Sequence, residues 1–288
     1  MLKLIEKKVR LYRTKLLKKI FNSRRGKKRH LDGMSSDIKL ITKDFGDHTI
    51  TFDPFEWIGS NLYYGNGWQK DNTYDAVKLL NKYSRGLKNK IALDIGANIG
   101  TQSVYLALSK IFKKVIAIEP DLFNYKLLKK NITDNNLSNI ITPFNIAIGH
   151  CNKTMTLFED NHNRGAHSLI SSNNFQKGYS VDVKDIGTFI HDSNIHIDDV
   201  GFIWIDIEGM EPEVLKTFTN TFNKLPIIYT EFSPNLYGEN KKDLMLNFIH
   251  DNYSDLFIFT KKNKPKKISF NELKRIDKQV DILLMQKE

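Results

Sequence analysis

The chain has 288 residues, of which 40% are hydrophobic and a single one, Cys151, is a cysteine. That is enough apolar material for a sizeable buried core and too little cysteine for a disulfide framework. No run approaches the ~18 apolar residues of a membrane-spanning helix and no early stretch has the apolar core of a secretory signal, so the chain reads as cytoplasmic. The formal net charge is +11, but nearly all of the excess lies in residues 1–30, where Glu6 is the lone acid. The remainder is close to neutral, which removes most of the case for nucleic-acid binding by the whole protein.

Residues 1–30 form a basic arm. Ile5, Val9, Tyr12, Leu16 and Ile20 recur at the three-to-four spacing of one apolar helical stripe, with Lys and Arg around the rest of the circumference. Such a helix suits peripheral contact with an anionic membrane, or packing on the domain or on a partner; specific nucleic acid is not expected. Residues 31–89 read as an extension: a linker at "LDGMSSDI", a β-hairpin around Gly46-Asp47, then the glycine- and aromatic-rich stretch "WIGSNLYYGNGW" as a loop leading into a helix.

From residue 90 to 288 strands alternate with helices. "KIALDIGA", "KVIAIEP", "IITPFNIAIG", "FIWIDIEG" and "LPIIYTEFSP" are the strands, "TQSVYLALSKIF" and "DLFNYKLLKKNITDNN" the first helices. Continuous Ile/Val runs fit parallel strands covered on both faces, so the fold class is α/β, a doubly wound and mostly parallel sheet. Extra β-like pieces and a short helix, "VKDIGTFIHD", lie between the third and fourth strands. "LFIFTKK" and "VDILLMQK" read as a closing antiparallel pair.

Ligands bind such sheets beyond the carboxyl ends of the strands. "LDIGANIGT" ends the first strand, where Gly96 permits a tight turn and close backbone approach and Gly100 close helix packing. Glu119 ends the second strand, the place from which a carboxylate reaches ribose hydroxyls. Asn98 stands where a dinucleotide fingerprint needs its central glycine, and Asp94 is a poor neighbour for phosphate. A cationic, phosphate-free nucleoside fits better, which points to S-adenosylmethionine (SAM).

"LDIGANIGTQSVYLA", "VIAIEPD", "NIAIG", "WIDIEGMEPEVL" and "PIIYTEF", in that order, resemble the FkbM family of SAM-dependent methyltransferases over about residues 50–235. The resemblance implies a class I, Rossmann-like methyltransferase fold and methylation of a hydroxyl on a sugar, glycan or secondary metabolite. It carries over Asp94, Gly96, Asn98 and Gly100, with Ala97 beside them, as the SAM turn; Glu119, followed by Pro120, as the ribose ligand; and Ala147 for the adenine pocket.

The acids of "WIDIEGMEPEVL" divide in two. Strand alternation places Trp204, Asp206 and Glu208 on one face, so Asp206 and Glu208 emerge together at a strand end that the resemblance sets beside the SAM strand. A sugar hydroxyl is a poor nucleophile until its proton is taken. Asp206 is the first candidate for that base, Glu208 the second, and Glu231 converges from the fifth strand. Glu211 and Glu213 flank Pro212 and read mainly as a helix start. Asp206, Glu208 and Glu231 also have the oxygen chemistry of a hard-cation site, yet carboxylates beside a sulfonium already have a charge partner, so no metal ligands are assigned. In "NHNRGAHSLISS", Arg164 and His167 are candidates for substrate contact, and His167 for an alternative base. The acceptor is expected to be a saccharide or small molecule; methylation of a small metabolite and a non-catalytic SAM-binding module are the alternative readings.

Overall fold

The computed structural model describes residues 12, 13, 15, 19, 23–34, 37–83, 86–160, 163–170, 177–260 and 263–286. Most of the apolar stripe expected over residues 1–30 therefore lies outside the described residues. Within them, helix α1 (Arg24–Asp32) runs through the expected arm-to-linker boundary. The hairpin forms where glycine chemistry predicts it: β1 (Ile41–Asp44) pairs antiparallel with β2 (Thr49–Phe52), and Phe45 N–H donates to His48 O across a turn in which Gly46 is left-handed.

The aromatic stretch expected as a loop is instead helix α2 (Trp57–Tyr64), followed by α3 (Lys70–Tyr83). Gly59 explains part of the difference. A Cβ there would lie 1.7 Å from Asp53 O, so this glycine lets the helix close onto its own approach strand rather than breaking it.

Eight strands make the main sheet. Those of the sheet are β3 (Ile91–Ile95), β4 (Lys114–Ile118), β5 (Ile141–Phe144), β9 (Val200–Ile205), β10 (Ile227–Phe232), β11 (Asp255–Thr260), β12 (Asn263–Ile268) and β13 (Val280–Met285), in the order β12-β11-β13-β10-β9-β3-β4-β5. The run from β10 to β5 is parallel; β13, β11 and β12 are antiparallel, and the expected closing pair is β11 with β13. Helices α4 (Thr101–Leu108) and α5 (Leu122–Asp134) carry the first crossovers. After β5 the chain returns to the other side of β3 to lay down β9. The strand order therefore reverses between β3 and β9, which is where open α/β sheets form their ligand crevice.

The expected third strand is two. β5 ends at Phe144, and Ala147–Ile148 (β6) joins a separate three-stranded sheet with β7 (Lys153–Phe158) and β8 (Gly178–Lys184). Asn145 makes the break, its Nδ2 donating to Glu119 O and Pro120 O (both 2.9 Å). Helices α6 (Ile186–Asp192), α7 (Glu211–Thr221) and α8 (Pro234–Asn252) follow, with the short α9 (Phe270–Lys274) late in the chain.

Strand alternation sorts the core. Leu93, Ile203, Ile228 and Leu284 pack with Phe189, Phe218 and Met245 from α6, α7 and α8 on one face. Ala92, Trp204, Tyr229 and Leu283 pack with Ile50, Leu62, Leu80 and Val104 on the other. The extension thus covers one face of the sheet as an integral layer.

Candidate active site

The turn after β3 is built by close approach. Gly96 has φ +86°, and a Cβ there would lie 1.9 Å from Asp206 O. Its N–H and that of Ala97 both donate to Ile118 O, at 3.0 and 2.9 Å. Asn98 is left-handed at φ +51°, and its N–H donates to Glu119 Oε2 at 2.8 Å, while Asp121 N–H donates to Oε1 at 2.8 Å. Glu119 therefore closes the turn as well as facing the site. Burial, the larger influence, pushes its carboxyl up to about 8 despite these donors. Below the turn, Asp94 is 1% exposed and accepts from the Ser103 hydroxyl; burial pushes it up to about 7.

Gly96, Asn98, Glu119, Pro120 and Ala147 line a cavity of about 560 Å³ that is partly open to solvent, with Asp206 and Glu208 across it. Asp94, Ala97 and Gly100 are outside its wall: Asp94 and Ala97 are buried beneath it, and Gly100 packs on Leu128, whose Cδ1 would be 2.6 Å from an added Cβ.

Asp206 continues the pairing of β9 by donating its N–H to Ile95 O at 3.0 Å, but strand alternation does not carry on to Glu208. The chain turns there, with Glu208 left-handed at φ +52° and Gly209 at φ +96°. Glu208 reaches the cavity through this turn. Glu211 holds it: its carboxylate, 1% exposed, accepts from Ile207 N–H (2.9 Å) and Gly209 N–H (3.0 Å), on either side of Glu208. The expected split of the acids is thus corrected for Glu211, which begins α7 but serves the turn. Glu213 does stand apart, paired with Lys241 at 2.5 Å.

Glu231, 8% exposed, accepts from the Ser233 hydroxyl and the Gln279 amide behind the cavity wall. Among the described residues, Asp206, Glu208, Glu211 and Glu231 form no ion pair with Lys or Arg. Burial, then repulsion from Glu231, Glu208, Glu211 and Asp281, holds Asp206 well above the usual carboxylate range. Burial and the Glu231 charge push Glu208 up to about 8.

Residues 163–170 cross the cavity as a strap. Arg164 N–H donates to Glu56 Oε2 (2.9 Å), its Nε lies 3.4 Å from Oε1, and its guanidinium sits 4.6 Å from the Phe123 ring centre. At the other end the Ser168 hydroxyl donates to Glu208 O at 2.9 Å. Between them His167 lines the cavity with a side chain only 5% exposed, its Nδ1 3.6 Å from Asp121 Oδ2, beyond hydrogen-bond length. Tyr179 donates to the same Asp121 oxygen at 2.5 Å. Although burial pushes Asp121 up, these neighbours hold it below its ordinary value. Glu56, Asp121 and Ser168 were not evident in sequence, and Glu211 was read there mainly as a helix start. Of the first three only Asp121, an acid before a helix and a cap on Asn124 N–H at 2.7 Å, left a local signal.

The Methyltransferase FkbM domain matches residues 94–258, more than half of the chain. The chain belongs to the FkbM methyltransferase family. SAM is its methyl donor, and the residues lining the cavity fit that group: Glu119 and the facing acids suit ribose hydroxyls, a sulfonium and an ammonium, and Arg164 is the only Lys or Arg among the described lining residues. Among the described residues, no set of three His, Cys, Asp or Glu is arranged to hold a metal ion, and no helix is long and apolar enough to cross a membrane.

No curated protein sequence matches the chain. Among solved structures, it is similar to TYW2 of M. jannaschii in complex with AdoMet (13% identity, 87% of each chain, TM-score 0.44). It is also similar to TYW2 of P. horikoshii in complex with MeSAdo (11% identity, 88% of this chain and 74% of that one, TM-score 0.46). Against the M. jannaschii tRNA m1G37 methyltransferase the identity is 13% and the TM-score 0.42, and 88% of this chain spans 57% of that protein's length.

Proposed function

We propose that this methyltransferase acts on a hydroxyl of a sugar, glycan or glycoconjugate. The observation that carries this reading is the group Asp206, Glu208 and Glu231 at the carboxyl ends of β9 and β10, without a Lys or Arg ion-pair partner among the described residues and beside a cavity that fits SAM. Once ionised, these carboxylates are acceptors only, so they suit an acceptor rich in hydroxyl donors and one from which a proton must be taken.

Bound SAM supplies a methyl carbon activated by its sulfonium: the acceptor oxygen–carbon bond forms as the carbon–sulfur bond breaks, its electron pair stays on sulfur, and the hydroxyl proton is taken up by the protein. Asp206 is the proposed proton acceptor. Held well above the usual carboxylate range, it is a stronger base once ionised than an exposed aspartate. Glu208 orients the acceptor and Glu231 tunes Asp206 by its charge; His167 is the alternative base. Glu119 takes the ribose hydroxyls, Pro120 and Ala147 flank the adenine, and Gly96 and Asn98, supported by Asp94, Ala97 and Gly100, shape the turn around the rest of the donor. We assign residues 90–288 to the methyltransferase domain, 31–89 to its extension and 1–30 to a basic arm that serves either peripheral contact with anionic membrane or packing on the domain or a partner, in a cytoplasmic protein.

The test is incubation of the full chain with labelled SAM and a saccharide extract, followed by mass spectrometry of whatever gains the label. Label on a saccharide oxygen supports the reading. Label only on a non-saccharide metabolite replaces the acceptor class, and SAM binding without transfer to any component favours a non-catalytic module.

A further inference from the structure

Segments next to the site carry large apolar side chains that the reaction does not use. Phe55, Trp57 and Leu122 are 47%, 49% and 50% exposed. Scattered exposed hydrophobics are ordinary, but the segments that carry these three meet at Arg164. Arg164 pairs with Glu56, between Phe55 and Trp57, and stacks on Phe123, next to Leu122. The same segments line a second cavity of about 280 Å³ through Asp53, Glu56, Ile58 and Phe123, which shares Asn98, Arg164 and Gly165 with the first.

Trp57, Asn61 and Tyr64 fall on one face of α2 by helical spacing, and Asn61 Nδ2 donates to Trp57 O at 2.7 Å. At the far end of that face stands α1, of sequence RRGKKRHLD. Tyr64 OH donates to Lys27 O at 2.8 Å, and Lys27 Nζ lies 4.9 Å from the Tyr64 ring centre. One helix face thus runs from an exposed tryptophan to a strongly basic helix.

We propose that this face, Phe55, Trp57 and Leu122 with the positive charge of α1, docks on an anionic lipid bilayer. Aromatic rings favour the headgroup level, basic residues are drawn to anionic lipid, and the aliphatic Leu122 suits acyl chains rather than a polar partner. Docked in this way, α2 stands with one face on the lipid and the other on the second cavity. The inference does not depend on the acceptor class, and it places contact on the folded domain rather than on the arm alone.

Full-length protein is sedimented with phosphatidylcholine vesicles with and without phosphatidylserine, alongside a Phe55→Ser/Trp57→Ser double variant and Leu122→Ser. SAM affinity, measured on each, shows that the fold is kept. Expected are binding that requires phosphatidylserine, a loss of about tenfold or more in the double variant from the apolar area left in water, and quenching of tryptophan emission by brominated lipid that disappears in Trp57→Phe. Unchanged vesicle binding by the double variant at unchanged SAM affinity would overturn the proposal by assigning binding to the arm. Stronger binding of wild type to transfer RNA than to anionic vesicles, weakened by the same substitutions, would overturn it in favour of nucleic acid.

Discussion

Glu208 occupies a left-handed backbone conformation at φ +52°, which costs a non-glycine residue of order 1–3 kcal/mol and persists only when neighbours impose it. Glu211 and Ser168 are those neighbours, through Ile207 N–H, Gly209 N–H and Glu208 O. Glu211→Ala leaves two amide donors without their carboxylate, so it should cost about 1–3 kcal/mol and lower turnover more than SAM affinity, as read by chemical denaturation and steady-state kinetics. Unchanged turnover would release Glu211 from the site. Gly96→Ala puts a methyl group where Asp206 O already stands, and SAM titration of that variant should show loss of binding. The glycine turn and Glu119 were legible because their spacing is local chemistry. The role of Glu211 was not, because Pro212 and the first-turn acids also spell an ordinary helix start, and alternation along β9 gave no notice that the chain turns after Asp206.

At the scale of elements, the hairpin is stitched to α5 by side chains acting as a strand partner. Asn131, fully buried, accepts from Thr51 N–H (2.7 Å) and donates to Thr51 O (3.1 Å) and Ile99 O (2.8 Å). Asn135 does the same for Thr49 N–H (2.8 Å) and O (2.7 Å). Asn131→Ala should destabilise the protein by about 1–3 kcal/mol in denaturant unfolding, and it should loosen the SAM turn through Ile99; a neutral result would mean that β2 is held by its apolar contacts alone. Periodicity found the parallel strands and the closing antiparallel pair, since buried runs of Ile and Val are hard to mistake. It missed the break at Asn145, where one side chain's bonds to Glu119 O and Pro120 O send the chain into a second sheet. It also missed α2, whose aromatics and glycines read as loop until Gly59 is seen packed on Asp53.

Across the molecule, Asp206, Glu208, Glu211 and Glu231 gather at the carboxyl ends of the strands, and among the described residues none of them pairs with Lys or Arg. Asp94 and Glu211 are pushed up to about 7, Glu119 and Glu208 to about 8, each chiefly by burial. A carboxyl whose folded value is raised stabilises the fold fully below its unfolded value, about 4, and loses that contribution as the pH rises through its folded value. The free protein should therefore lose Tm as the pH rises from about 5 to about 8, and SAM, bringing positive charge to the cluster, should raise Tm more at pH 8 than at pH 6. A Tm that climbs across that window would contradict the electrostatic picture. The central claim is that these acids serve methyl transfer, with Asp206 taking the proton. Its most direct measurement is the rate of label transfer from SAM to the saccharide acceptor by wild type and by Asp206→Asn, with SAM affinity determined on both. The expected result is near-equal affinity and a rate lower by about 10²–10⁴; equal rates at equal affinity would contradict it.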